Sequence, residues 1–184
     1  MAKENPLASN LTLEQQKNLF GNAYLNMLWH CPTDQRFPYW VHLPDCYYDE
    51  KDPHYKLLVI IHGTGCAVED YVRHAKELAD RDHVAVLAPL FPGGLIQRDD
   101  FNSYKLLSCD GVRYDQILLD MIDDMAKRYP GVETDKFFLF GHSGGGQFVN
   151  RFLFAHPEKL RACAIGAPGR PTFLNPDEDY FWGT

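Results

Sequence analysis

Ser143 is the residue whose type and surroundings most clearly suggest chemistry. It stands in the run Gly141-His142-Ser143-Gly144-Gly145, which matches the pattern G-x-S-x-G. In such a pattern a sharp turn exposes the serine hydroxyl for attack on an acyl carbon, and the next backbone N–H stabilises the oxyanion. Gly141 and Gly145 would permit the close backbone approach that this turn needs. The spacing predicts Ser143 as a nucleophile and Gly144 as an oxyanion donor, with a structural glycine-rich turn as the alternative.

The residues on either side predict the strand and the helix that would hold the serine. Residues 137–140 read Phe-Phe-Leu-Phe, a short apolar run typical of a strand buried on both faces. After the glycines, Phe148, Phe152 and Ala155 recur at helical spacing, and Pro157 ends the pattern. Because a strand, a tight turn and a helix are the context that the pattern requires, we favour the nucleophile over the structural turn.

A second glycine-containing loop follows another wholly apolar segment. Residues 57–61 predict a central strand, which continues into His62-Gly63-Thr64-Gly65. On the strand beside the serine turn, such a loop supplies the second oxyanion donor, here the N–H of Thr64. The two glycines would let the Thr64 backbone approach a substrate closely. A simple glycine-rich turn is the alternative.

The remaining periodic segments predict a single α/β core. Helices are predicted over residues 11–30, 69–81 and 114–128, and further strands over residues 37–43, 84–88 and 162–165. Thr12 and Gln15 fit a capping box at the start of the first helix, and Asp115 and Asp124 are predicted to face water. Strands alternating with helices predict a three-layer α/β/α architecture with a mainly parallel sheet. We expect residues 1–36 to form an N-terminal helix and lead-in, and residues 37–184 to form the core domain.

The stretch from residue 91 to residue 111 is long for a connection between a strand and a helix. It follows a strand, so it is expected at the carboxyl edge of the sheet, where ligands bind in open α/β folds. It could form a wall of the binding pocket or a folded excursion at the surface.

Together these segments resemble the α/β-hydrolase fold, and within it the branch of esterases, feruloyl esterases and polyhydroxyalkanoate-depolymerase-like enzymes. The resemblance is carried by residues 39–44 (Tyr-Trp-Val-His-Leu-Pro), residues 57–65 and residues 141–146. It implies a serine hydrolase of carboxylic esters, thioesters or lactones that forms an acyl-enzyme on Ser143. It implies a small-molecule ester as the substrate, and neither a cofactor nor a metal ion.

The end of the sequence departs from that family. In the family the acid and the histidine of the catalytic triad follow the serine in chain order, but His156 is the only histidine after Ser143 here. The predicted helix would point His156 away from the serine hydroxyl, and we interpret His62 and His142 as structural residues. Residues 177–179 (Asp-Glu-Asp) are a minor alternative for the acid.

From this departure we expect an α/β-hydrolase fold that lacks its C-terminal strands after the sixth, with the acid and the histidine beyond residue 184. A catalytically incomplete remnant that serves as a binding or oligomerisation module is the alternative function. We also expect a homo-oligomer or a C-terminal partner chain, because the last strand would otherwise be an open sheet edge.

The composition excludes several classes of partner. The net charge of −7 argues against nucleic acid, and no apolar run is long enough to cross a bilayer. Residues 1–10 lack the basic and apolar blocks of a secretory signal. The five cysteines are scattered without metal-binding spacing, so we expect a reduced, cytoplasmic setting.

Overall fold

Eight strands and four α-helices make up the regular structure of the computed structural model, which describes residues 12–49 and 53–183. The strands are β1 (Asn26–His30), β2 (Pro38–His42), β3 (Tyr55–Ile61), β4 (Val84–Pro89), β5 (Ser108–Cys109), β6 (Val112–Arg113), β7 (Val132–His142) and β8 (Leu160–Gly166). The helices are α1 (Leu13–Phe20), α2 (Val68–Asp82), α3 (Tyr114–Arg128) and α4 (Gly144–Ala155). None of the helices in these two ranges combines the length and the apolar character needed to cross a bilayer.

Six strands form one sheet in the order β1-β2-β4-β3-β7-β8, and β5 and β6 form a separate hairpin. β3 lies between β4 and β7 and is parallel to both, and β8 is parallel to β7. β2 runs antiparallel to β1 and β4. The structure confirms the predicted mainly parallel sheet, and it confirms that the strands predicted over residues 57–61 and 137–140 are inner neighbours.

The helices cover both faces of this sheet. Leu57, Val59 and Ile61 of β3 point into the larger core, which includes side chains of α3 and α4. Leu58 and Ile60 point to the opposite face and pack with side chains of α2. This alternation along β3 is the period of two expected for a strand buried on both faces. The predicted α/β/α layering is confirmed.

The carboxyl ends of β3 and β7 lie side by side. Ile61, the last residue of β3, is in register with Gly141 of β7. The loop that begins at His62 and the turn at Ser143 therefore leave the sheet at the same edge, from neighbouring strands. The fold places the two predicted glycine-containing loops together.

The first predicted helix is correct only at its beginning. Thr12 and Gln15 form the predicted capping box, but α1 ends at Phe20, where Gly21 has a positive φ of 53°. A short 3₁₀ helix (Gly21–Leu25) then leads into β1, which pairs antiparallel with β2. Leu11, where the predicted helix began, lies outside the described residues. Residues 26–30 are thus a strand of the sheet because pairing with β2 overrides the local helical pattern.

Two aspartates of α3 that were predicted to face water are buried. Asp124 accepts a hydrogen bond from the Tyr39 hydroxyl at 2.5 Å and one from Arg128 at 2.7 Å. Asp115 is 2% exposed and accepts hydrogen bonds from Arg113 and from the His156 imidazole. A carboxylate can be buried when hydrogen-bond donors of this kind satisfy it. Helical spacing does not predict these donors, because it does not show which other elements pack against α3 or how the side chains of α3 are oriented.

The buried Asp115 should make the free energy of unfolding depend on pH in the acid range. Burial alone raises the pKa of its carboxyl, but the hydrogen bonds from Arg113 and His156 outweigh burial and lower the pKa below its usual value. A carboxyl with a lowered folded-state pKa stabilises the fold above its unfolded pKa of about 3.9, and this contribution is lost as the pH falls. Asp115→Asn should therefore cost about 2 kcal/mol at pH 7 and progressively less below about pH 4.

Urea unfolding at pH 7 and pH 3 measures this difference. Asp123→Asn is the matched control, because Asp123 is an exposed residue of the same helix and the exposed substitution should change stability by less than about 0.5 kcal/mol. An Asp115→Asn penalty of equal size at both pH values would contradict the assignment of the ionised carboxylate as the stabilising form.

Candidate active site

Ser143 lies on a strained turn between β7 and α4. Its φ is 56° and its ψ is −118°. Non-glycine residues rarely adopt a positive φ. Its backbone N–H donates to the carbonyl oxygen of Gly166 at 2.9 Å, which fixes the turn to the end of β8. The residue is exposed. The structure therefore presents Ser143 at the carboxyl edge of the sheet on a turn that its surroundings hold in place.

Two glycines allow this turn to pack against its neighbours. A Cβ atom built onto Gly145 would lie 2.2 Å from the carbonyl oxygen of Ile61, and one built onto Gly141 would lie 2.3 Å from the carbonyl oxygen of Gly145. No side chain fits at such distances, so only glycine lets the first turn of α4 approach β3 and β7 this closely. The glycines of the sequence pattern have a direct steric reason here.

The Thr64 loop lies directly beside Ser143. A Cβ atom built onto Gly63 would lie 3.8 Å from Ser143 Cβ, and one built onto Gly144 would lie 3.0 Å from Thr64 Oγ1. Gly63 thus borders the serine, and the Thr64 side chain borders the first residue of α4. The start of α4 also carries the positive end of the helix dipole. The Thr64 loop and the start of α4 therefore meet beside Ser143, and the oxyanion roles of Thr64 and Gly144 stay predictions.

His62 is held in one neutral form by two hydrogen bonds. The backbone N–H of Phe91 donates to Nε2 at 3.0 Å, so Nδ1 carries the proton and donates to the Gly63 carbonyl at 2.7 Å. Burial lowers the pKa of this imidazole, although the hydrogen bond to the Gly63 carbonyl acts against the shift. Because both ring nitrogens are engaged, His62 joins the loop after β4 to the Thr64 loop and is not placed to accept a proton from Ser143.

The other histidines do not offer a base to the serine in this structure. The ring of His142 lies over Gly166, since a Cβ built there would be 3.0 Å from His142 Cδ2, on the β8 side of the turn rather than the Thr64 side. His156 follows the last residue of α4, about 18 Å of helix from Ser143, where it bonds Asp115. The remaining ones lie on β1 and β2, on α2 or at the amino ends of β3 and β4, namely His30, His42, His54, His74 and His83.

The alternative acids are also away from the serine. Residues 177–179 are exposed, in the segment that folds back along α4 toward Leu106 and Arg151. The Tyr180 hydroxyl, next in sequence, donates to the carbonyl oxygen of Leu106. Residues 177–179 thus lie near the middle and the end of α4, and this position does not support any of them as the acid of a triad.

Two residues of the stretch 91–111 reach the site, and sequence reasoning gave no role to the second of them, Lys105. Tyr104 and Lys105 belong to a 3₁₀ helix (Ser103–Leu106) within the long stretch after β4. A Cβ built onto Gly144 would lie 2.5 Å from the Tyr104 hydroxyl and 2.7 Å from Lys105 Cε. The stretch 91–111 therefore reaches the candidate site, as a pocket wall would, but neighbouring sequence gave no signal for which of its residues do so.

Comparison with solved structures shows the fold of this chain. LpqC, a poly(3-hydroxybutyrate) depolymerase from Bordetella parapertussis, matches with a TM-score of 0.73 at 21% identity, over 95% of this chain and 62% of its own. Poly(aspartic acid) hydrolase-1 from Sphingomonas sp. KT-1 matches with a TM-score of 0.66 at 18% identity, over 86% of this chain and 61% of its own. FphF, a fluorophosphonate-binding serine hydrolase from Staphylococcus aureus, matches with a TM-score of 0.61 at 22% identity, over 76% of this chain and 55% of its own.

The chain thus spans less than two thirds of the length of each of these proteins. No protein-family model and no curated protein matches the sequence. The strand order, the turn at Ser143 and the likeness to these solved structures together show that the chain has the α/β-hydrolase fold.

Proposed function

We propose that the protein is a serine hydrolase of small-molecule carboxylic esters, thioesters or lactones, and that it acts through an acyl-enzyme on Ser143. The observation that carries the proposal is the position of Ser143, an exposed residue with positive φ between β7 and α4, beside the Thr64 loop. The similar solved proteins are a depolymerase and hydrolases, which supports hydrolysis as the class of reaction.

In the proposed mechanism the Ser143 hydroxyl attacks the acyl carbon and loses its proton to a base. The N–H of Gly144, at the positive end of the α4 dipole, and the N–H of Thr64 hold the oxyanion that forms. The leaving alcohol or thiol takes the proton, and water then hydrolyses the acyl-enzyme by the same path in reverse. We propose that the base comes from outside these 184 residues, because none of the histidines described above is presented to the serine.

Labelling with a fluorophosphonate probe tests this function. The probe forms a covalent bond with nucleophilic serines and reacts faster the more activated the serine is, so mass spectrometry of the digested adduct should locate it on Ser143. Because the base is proposed to lie elsewhere, labelling should be slow, yet it should disappear in Ser143→Ala and after heat denaturation. Ser103→Ala is the control variant, because the Ser103 hydroxyl donates a hydrogen bond to the Asp100 carboxylate. An adduct on another residue, or none after prolonged incubation, would contradict the proposal.

A catalytically incomplete module that binds a second copy or a partner chain is the second candidate function. The observation that favours it is an edge of the sheet. Among the described residues β8 pairs with β7 only, and an unpaired strand edge is a template for association. A triad acts as a unit, so a serine without its base loses most of its reactivity. This candidate predicts no Ser143 adduct, and the labelling experiment therefore separates the two functions.

The cysteines support a reduced, cytoplasmic setting for the proposed enzyme. All five lie in the described part of the chain, and all five are free thiols. Persistent disulfides are typical of oxidising compartments instead.

A further inference from the structure

Lys105 reaches the candidate site from the stretch after β4 with its side chain buried. The residue is 5% exposed. Its Nζ donates to Thr64 Oγ1 at 2.8 Å and to Asn102 Oδ1 at 2.7 Å. A Cβ built onto Gly144 would lie 2.7 Å from Lys105 Cε. One side chain thus contacts both residues that we propose as oxyanion donors.

The backbone of Lys105 is itself fixed at both ends. Its N–H donates to the carbonyl oxygen of Asn102 at 3.0 Å. Its carbonyl oxygen accepts a hydrogen bond at 2.9 Å from the guanidinium of Arg151, a residue of α4 that is 2% exposed. The Asp100 carboxylate accepts hydrogen bonds from the N–H groups of Asn102 and Ser103, just before the 3₁₀ helix. The ammonium therefore extends from an anchored segment rather than from a free loop.

His62 holds the beginning of the Thr64 loop through its hydrogen bond to the Gly63 carbonyl, and the next two residues lie at the surface. Thr64 and Gly65 are exposed, and a Cβ built onto Gly65 would have no heavy atom within 4 Å. Within the loop the N–H of Cys66 donates to the Gly63 carbonyl at 3.1 Å. A hydrogen bond between the buried ammonium and the Thr64 hydroxyl is charge-assisted and stronger than one between neutral groups.

We propose that Lys105 is a positioning residue, which fixes the Thr64 backbone beside Ser143 through its hydrogen bond to Thr64 Oγ1. The value of this position to catalysis rests on the proposed function, whereas the structural link itself does not. Nζ has two neutral acceptors in Thr64 and Asn102, so its charge also adds to the positive field at the start of α4. Burial lowers the pKa of the Lys105 ammonium, while Asp100 acts against that shift.

Amide hydrogen exchange measured by NMR tests the structural link without any need for activity. The reporter is the Cys66 amide, and the Leu90 amide, which donates to the Pro38 carbonyl at 2.8 Å, is the reference for global stability. Lys105→Met should accelerate exchange at Cys66 about 10- to 100-fold relative to Leu90, because a charge-assisted bond that holds the loop is lost. Lys136→Met, an exposed lysine on β7, is the matched control and should change neither rate.

Variants of Thr64 show whether Lys105 acts through the threonine hydroxyl. Thr64→Val removes the acceptor but keeps the backbone N–H, so it should accelerate Cys66 exchange as Lys105→Met does. Thr64→Ser keeps the hydroxyl and should retain slow exchange. The double variant Lys105→Met/Thr64→Val should be no faster than either single variant, since both changes remove the same bond.

The rate of fluorophosphonate labelling supplies the catalytic readout on the same variants. Lys105→Met and Thr64→Val should each slow labelling of Ser143 by about 10- to 100-fold, again without an additive loss in the double variant. Unchanged Cys66 exchange in Lys105→Met, or independent effects that multiply in the double variant, would overturn the proposal. A loss of labelling in Lys105→Met that Thr64→Val does not share would also overturn it, and would indicate a lysine base. If the unmodified chain is not labelled, the proposed function fails, and the exchange data still decide the role of Lys105.

Discussion

A Gly145→Ala variant is expected to lose at least about 3 kcal/mol of folding free energy. The new Cβ would lie 2.2 Å from the carbonyl oxygen of Ile61 and 2.8 Å from that of His62. Both are backbone atoms of β3 and the loop after it, so no side chain can rotate to make room. Helix propensity alone predicts the opposite sign, because alanine is favoured over glycine by about 1 kcal/mol inside a helix and Gly145 lies in α4. The clash is the larger effect.

Gly65→Ala is the matched control for this variant. Its Cβ would meet no heavy atom within 4 Å, so stability should change by less than about 0.5 kcal/mol. Urea unfolding followed by circular dichroism measures both variants, and Gly145→Ala should also lose the Ser143 adduct. Equal stability of the two variants would show that the turn does not pack against β3 as the structure has it.

The serine turn could be predicted from the sequence because its determinants are local. Four consecutive apolar residues end at Phe140, and the glycines that follow permit close contacts within the turn and with the neighbouring strands β3 and β8. The pairing of β3 with β7 also follows from composition, since the apolar runs within them, residues 57–61 and 137–140, need burial on both faces. Local pattern and global fold agree here, which is the usual condition for a correct sequence-based prediction.

The strand β1 could not be predicted in the same way. Residues 26–30 read Asn-Met-Leu-Trp-His, and their apolar positions also extend the helical spacing of the preceding segment. The choice between helix and strand is made by pairing with β2, for example Met27 opposite Val41. That pairing depends on where a separate strand lies in the sheet, so helical spacing alone leads to the wrong element.

The polar contacts of the site were the least accessible to sequence reasoning. The run around Lys105 reads Ser-Tyr-Lys-Leu-Leu and resembles any surface turn with one charged residue. Lys105 becomes buried and bonds Thr64 only when the stretch after β4 folds over the end of β3 and the start of α4. Asp115 is hidden for a similar reason, since His156, one of its donors, lies far along the chain. By contrast, the structural interpretation of His62 agrees with its two hydrogen bonds.

The 184-residue chain is expected to hydrolyse activated aryl esters slowly, far below the turnover of about 10 s⁻¹ that is typical of enzymes. At neutral pH a serine hydroxyl needs a base within about 2.6–3.2 Å to accept its proton. All eight histidines lie in the described residues, and neither of the two that border the serine turn, His62 and His142, presents its ring to Ser143. His62 uses both ring nitrogens, and the ring of His142 lies over Gly166. An oxyanion hole and substrate binding alone still leave about 10³- to 10⁴-fold catalysis over water.

Steady-state hydrolysis of 4-nitrophenyl acetate by three proteins measures how much of this residual catalysis belongs to Ser143. Ser143→Ala should lower the rate because no acyl-enzyme can form, and the rate that remains is the part that the oxyanion hole and substrate binding give to direct attack by water. His142→Ala should retain the slow rate, since its ring lies on the β8 side of the turn, away from the Thr64 loop. A turnover near 10 s⁻¹ in the unmodified chain that is lost in His142→Ala would make His142 the base. The chain would then carry its own proton acceptor next to the nucleophile, and a base from outside these residues would not be needed.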